Sequence, residues 1–123
     1  MKLEDLKVYQ LAMEIADDVW FLVDKWDTFQ KWTTGKQLVD AADSMAANIS
    51  EGYGRYFYKE NQQFQYYSRG SQSETITWLT KAHNRKLISD EVFNDFMKRL
   101  EELGKRHNNY IKSIGRTSTP NDQ

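Results

Sequence analysis

The sequence predicts an all-α protein, an antiparallel up-down-up-down four-helix bundle. Three observations carry this. Four stretches repeat apolar or small residues at intervals of three and four, the period of one helical face. Six glycines and a single proline, Pro120, leave few breakers inside 123 residues. No stretch alternates apolar and polar side chains as a half-buried strand does. The joins between stretches are short, which suits antiparallel neighbours.

The first helix is expected from Glu4 to Trp26, with Val8, Leu11, Ile15, Val19, Leu22 and Trp26 on one face. A connection over 27–34 carries Phe29 and Trp32, two aromatics with no apolar face to join, and offers Thr33 or Thr34 as an N-cap. The second helix is expected from Gly35 to Gly52. Its stripe is Leu38, Ala42, Met45 and Ile49, kept thin by Ala41, Ala46 and Ala47, and Gly52 and Gly54 act as stop signals.

The third helix is expected from Lys59 to Lys86. Its seam, Phe64, Ser68, Ser71, Thr75, Trp78 and Ala82, is small and hydroxylic, suited to close packing with hydrogen bonds. Ser89 is a good N-cap for the fourth helix, Asp90 to Ile114, because Asp90 and Glu91 follow where the helix dipole favours negative charge. Phe93, Phe96, Leu100, Leu103, His107, Tyr110 and Ile114 form a sustained heptad face. One domain, 1–114, is therefore expected, followed by a polar, disordered C-terminal tail, 115–123.

Net charge is −1 but unevenly spread: residues 1–31 carry 4 basic and 7 acidic side chains, and residues 81–123 carry 9 and 6. That is a modest polarity, short of the field of a dedicated nucleic-acid binder. Cysteine is absent, so no disulfide or thiolate metal site forms. The N-terminus lacks an apolar signal segment and no run is long enough to span a membrane. A cytoplasmic protein with no membrane role and no cofactor is expected, and the sequon at Asn48-Ile49-Ser50 is then without meaning.

Two clusters are candidates for chemistry or binding. Ser44, Asn48, Glu51 and Gly52 lie beside the apolar stripe of the second helix, and Ser71 and Glu74 lie similarly on the third. They read first as a structural polar cluster locking the two helices, then as a ligand site near Gly52–Arg55, and last as a catalytic pair, Glu51 with Glu74. Arg55, Tyr56, Lys59 and Arg69 interleave charge with aromatic rings, fitting a subunit interface before a stacking surface for single-stranded nucleic acid. A di-metal carboxylate bundle needs Glu three residues before each His; Thr80 and Gly104 stand there instead, before His83 and His107. No metal is expected, and His107 reads as a core or interface histidine. No nucleophile elbow or phosphate-binding glycine loop is present.

Gln37-Leu38, Ala41-Ala42, Ser44, Asn48-Ile49, Glu51-Gly52, Gly54-Arg55, Gly70-Ser71 and Glu74 occur in an order and spacing that resembles the four-helix bundle proteins encoded in intervening sequences of bacterial 23S rRNA genes. The opening Leu3-Glu4-Asp5-Leu6-Lys7-Val8-Tyr9 is similar as well, and the resemblance spans about residues 3 to 114. It implies a bacterial protein, a ring-shaped homopentamer and no known catalytic activity. A related branch, the accessory variability determinant proteins of diversity-generating retroelements, shares the fold, is strongly basic, binds nucleic acid and associates with a reverse transcriptase.

The chain departs from the pattern where two basic residues often precede the Ala-Ala pair. Val39 and Asp40 stand there, Asp43 follows, and a proline-plus-acid entry is replaced by Trp32-Thr33-Thr34-Gly35. Five copies would carry a charge of about −5, so phosphate attraction would be local. The expected function is a non-catalytic oligomeric scaffold or interaction protein. The alternative is a nucleic-acid-binding accessory factor.

Overall fold

The computed structural model describes residues 1–115. The expectation for the tail lies, apart from Gly115, outside the described residues. A 3-10 turn, Leu3–Asp5, precedes α1, Lys7–Asp24. A helical turn, Thr28–Gln30, and a π-helical segment, Lys31–Gly35, lead into α2, Lys36–Tyr53. Then come α3, Tyr58–Asn84, and α4, Asp90–Ser113. Among the described residues there is no strand, and no helix is long and apolar enough to cross a membrane.

Each helix packs on its neighbours in the chain, and α4 closes back on α1. Hydrogen-bonded pairs give the directions. Ile49 meets Gln65 while Met45 meets Ser68, and Asn61 meets Tyr110 while Gln72 meets His107. In both interfaces the number rises on one helix as it falls on the other, so α2, α3 and α4 run antiparallel in turn.

The core is made by Ile15 and Val19 of α1, Leu38, Met45 and Ile49 of α2, Leu79 of α3 and Leu100 and Leu103 of α4. The expected stripe of α2 is wholly buried, and the heptad face of α4 is buried except for half-buried Phe93. The buried face of α1 is rotated from the expected one. Ala12, Ala16 and Val23 are buried, while Leu11, Leu22 and Trp26 lie half-buried at its edge. Small residues let α2 and α4 close over the centre of α1, and the larger side chains seal the flanks.

The join expected over 27–34 is largely helical. Backbone angles stay right-handed from Gln30 through Lys36, so no helix begins at Thr33 or Thr34 and neither caps one. The chain enters at extended Asp27. Thr33 bonds back to the Phe29 carbonyl, and buried Thr34 accepts from Arg85. Gly35 has a specific reason: a Cβ there would lie 2.6 Å from Val23 Cγ1, so glycine lets α1 approach the π-helical segment.

The α3 helix stops earlier than expected and without glycine. Lys86 adopts a left-handed φ of 62°. Its N–H bonds to the His83 carbonyl, and the Leu87 N–H bonds to the Ala82 carbonyl. This is a Schellman cap with lysine where glycine is usual. Ser89 caps α4 by accepting from the Val92 N–H. Because Lys86 is exposed and strained, Lys86→Gly is expected to stabilise the fold by about 0.5–1 kcal/mol, measured as a higher urea midpoint at unchanged m-value.

Candidate functional site

The most distinctive arrangement is a string of polar side chains buried along α3. Asn61, Gln65, Ser68, Gln72 and Thr75 all face inward. Their spacing continues to Leu79 and Ala82, so one helical face carries them. His107 enters the string from α4, fully buried.

The donors run in one direction. Gln72 Nε2 lies 2.8 Å from His107 Nδ1, and His107 Nε2 lies 2.7 Å from Gln65 Oε1. Gln65 Nε2 donates to Asn61 Oδ1 at 2.9 Å and to the Ile49 carbonyl at 3.1 Å. Asn61 Nδ2 reaches Tyr110 Oη at 3.5 Å. Because the Gln65 amide nitrogen is committed to those two acceptors, its oxygen faces His107. That assigns the Nε2-protonated tautomer to His107. Ser68 adds a bond to the Met45 carbonyl at 2.8 Å. Every buried side-chain polar atom of the string has a partner; among the described residues Gln30 Oε1 is the one left without.

Burial, with a smaller contribution from the Arg69 charge, lowers the His107 pKa to about 4, so the imidazole is neutral at pH 7. Burial pushes the Tyr110 phenol up, against the hydrogen bond from Asn61. Two neutral groups with satisfied bonds suit a structural lock, since a general base needs a titration near the working pH.

Gly52 is packed against this string. A Cβ there would lie 2.6 Å from Gln65 Nε2, 2.7 Å from Asn61 Oδ1 and 2.9 Å from the Asn61 carbonyl oxygen. Gly52 is thus an approach point for two amides, and helix α2 continues past it to Tyr53.

The residues expected to form the polar cluster are placed differently. Ser44 bonds to the Asp40 carbonyl, Asn48 to the Ser44 carbonyl and Ser71 to the Tyr67 carbonyl, all four residues back on their own helices. Glu51 and Glu74 are exposed, and Glu51 pairs with Arg55 at 3.3 Å. Gly52 alone of the six meets the side chains that bridge α2 and α3. Arg55 also approaches Glu60 and lies over Phe64, and Arg69 lies over Tyr66. Tyr56, edge-on to Phe57, is exposed, as is Lys59.

Sequence reasoning missed Asn61, Gln65 and Gln72, and placed His107 without its partners. A signal existed. Ser68, Thr75 and Ala82 lie seven apart, and extending that frame backward and between them reaches all three amides. They are passed over because Asn and Gln are usually exposed.

A family model described as 23S rRNA-intervening sequence protein matches residues 4–109. The chain belongs to that family. A crystal structure of a protein of unknown function, from the S23 ribosomal protein family of Bacteroides thetaiotaomicron VPI-5482, superposes with a TM-score of 0.81 at 22% identity. The match covers 91% of this chain and 99% of that one. At this identity the likeness speaks for the fold. A search of curated proteins finds no match.

Two expected outcomes test the lock. Gly52→Ala forces α2 away from a backbone carbonyl and should cost at least about 2 kcal/mol in chemical denaturation. Gly54→Ala is the contrast, with no neighbour inside 3.7 Å and a right-handed backbone; it should be neutral within about 0.5 kcal/mol. The second outcome concerns pH. His107 has a folded pKa of about 4 against an ordinary 6.5, so the unfolded chain binds the extra proton first. Its contribution is complete above pH 6.5 and lost as pH falls toward 4, about 3 kcal/mol in all. His107→Gln should flatten that part of the pH–stability curve.

Proposed function

We propose that the protein is a non-catalytic scaffold that assembles with copies of itself, as a homopentamer, and presents its surface to other molecules. One observation carries the reading: large aromatic side chains lie outside a bundle whose central helix is lined with amides and hydroxyls. Tyr56, Phe57, Tyr66 and Tyr67 are all exposed around the start and outer face of α3. A monomer gains nothing by holding such rings in water, whereas a subunit interface is enriched in tyrosine and arginine.

The family match supports the reading, and so does the absence of a catalytic constellation among the described residues. Glu51 and Glu74 are solvated, and His107 is sealed and neutral. The number five rests on the family resemblance.

The second reading, a nucleic-acid-binding accessory factor, is favoured by the two cation–π pairs, Arg55 on Phe64 and Arg69 on Tyr66. Such pairs offer both a charge and a stacking face. Against it, the Arg55 charge is held by Glu51 and Glu60.

Light scattering with an absorbance ratio at 260 and 280 nm tests both readings. The expected result is about 73 kDa, five chains of 14.6 kDa, free of nucleic acid. Tyr66→Ser with Tyr67→Ser should lower the mass while keeping the helical circular dichroism signal. A wild-type monomer defeats the assembly reading, and a co-purifying nucleic acid that is released by salt moves the conclusion to the second.

A further inference from the structure

One glycine of α3 has no cause inside the chain. Gly70 is two residues from buried Ser68 and two from buried Gln72, so it stands opposite them, at the centre of the outward face of α3. Glycine weakens a helix interior relative to alanine. Gly35 and Gly52 are required by close neighbours, whereas a Cβ at Gly70 would meet nothing within 4 Å. The remaining use of glycine on a helix face is to let something from outside come close. Tyr66, Gly70 and Glu74 follow one another at four-residue steps, the rows by which helices pack against each other. All three are exposed, so the row is a ridge with a gap at its middle. Arg69 flanks the gap, its guanidinium 5.7 Å from the Tyr66 ring centroid.

The outward face of α1 carries the matching shape. Asp17, Phe21 and Lys25 are also spaced by four and all exposed, and Phe21, 62% exposed, projects at the middle of their row. The charges match as well. Among the described residues Asp17, Lys25, Arg69 and Glu74 form no ion pair. With Phe21 of one copy over Gly70 of another and the two helices parallel, Asp17 comes to Arg69 and Lys25 to Glu74. The antiparallel arrangement sets Asp17 against Glu74 and Lys25 against Arg69, and like charges repel. The bundle itself supplies the parallel direction. Gly35 lies against Val23 and Tyr53 bonds to the Met1 carbonyl, so α1 is antiparallel to α2 and runs the same way as α3. Copies related by rotation about an axis along the helices therefore present α1 parallel to α3.

We propose that the α1 row of one copy seats on the α3 row of the next, with Phe21 in the gap at Gly70, Asp17 paired to Arg69 and Lys25 to Glu74. The inference rests on the self-assembly reading and deepens it, because it makes the contact head-to-tail between two different surfaces. The helices α1 and α3 lie across the bundle from each other, so each copy offers one surface on either side, and copies joined in this way close into a ring when their rotation allows.

The test is light scattering of the full-length protein and two variants, alone and mixed. Gly70→Gln and Phe21→Ser should each reduce the mass to that of one chain, 14.6 kDa. The helical circular dichroism signal should stay, since a side chain at 70 has open space and Phe21 is outside the core cluster. The Gly70→Gln variant keeps a sound α1 row and the Phe21→Ser variant a sound α3 row. An equimolar mixture therefore retains one working contact and should give two chains, about 29 kDa, and no more. A wild-type monomer defeats the self-assembly reading and this contact with it. A wild-type assembly whose mass survives either substitution overturns this contact alone and leaves self-assembly standing. A mixture that stays at one chain does the same, because it shows that the two surfaces do not meet each other.

Discussion

The fold depends on the need to satisfy a row of amides and one imidazole inside a helical bundle. Leucine seams tolerate sliding by part of a turn, because dispersion is nearly direction-free. Hydrogen bonds do not. Gln65 reaches the Ile49 carbonyl and Ser68 the Met45 carbonyl, so α3 is pinned to α2 at two points about a turn apart. His107 then pins α4 to the same row through Gln65 and Gln72. A shift of either helix would strand buried donors, each costing about 1–3 kcal/mol. The alanines of α2 and Gly52 follow from this: backbone carbonyls come within reach of α3 only where neighbouring side chains are small.

The fold was legible in the sequence because apolar periodicity reports which face is buried, and periodicity survives in α1, α2 and α4. It also survives in α3, but there the buried face is polar. A reading that equates burial with hydrophobicity selects Phe64 and Trp78, which are half-buried, over Gln65 and Gln72. Glu51-Gly52 illustrates the same limit. The pair is conspicuous in sequence, yet its weight falls on the glycine, since the carboxylate points to solvent and pairs with Arg55. The entry to α2 was illegible for another reason. Trp32-Thr33-Thr34-Gly35 has poor helix propensity, and tertiary contact holds it helical: Gly35 against Val23 and Thr34 against Arg85. Lys86 hid the end of α3 because a left-handed lysine gives no compositional cue.

A polar row at the centre also bears on the outside. With hydroxyls and amides filling one face of α3, the aromatic residues of that helix have little interior to occupy, and Tyr66 and Tyr67 emerge on the surface. The inside supplies register and the outside supplies contact area. That division is what the proposed self-assembly would use. It also separates the two kinds of substitution: changes at the row alter folding, whereas changes at the rings alter what the folded bundle meets.

The chain's departures from the family resemblance are not scattered over the bundle. Val39 and Asp40, which stand where the resemblance has two bases, line one open cleft between α1 and the entry to α2, and so do Trp32 and Gly35 of the altered entry. Asp43 lies in the field of Asp17 and Asp40 beside it. Replacing two bases by a valine and an aspartate changes the local charge by about three, and with Lys31 paired to Asp24 and Lys36 to Asp40 the charges of the cleft balance. The buried row and Gly52 lie outside this cluster of changes. Register is therefore set by the buried row, and the altered surface is built from other residues, so the one can change without disturbing the other.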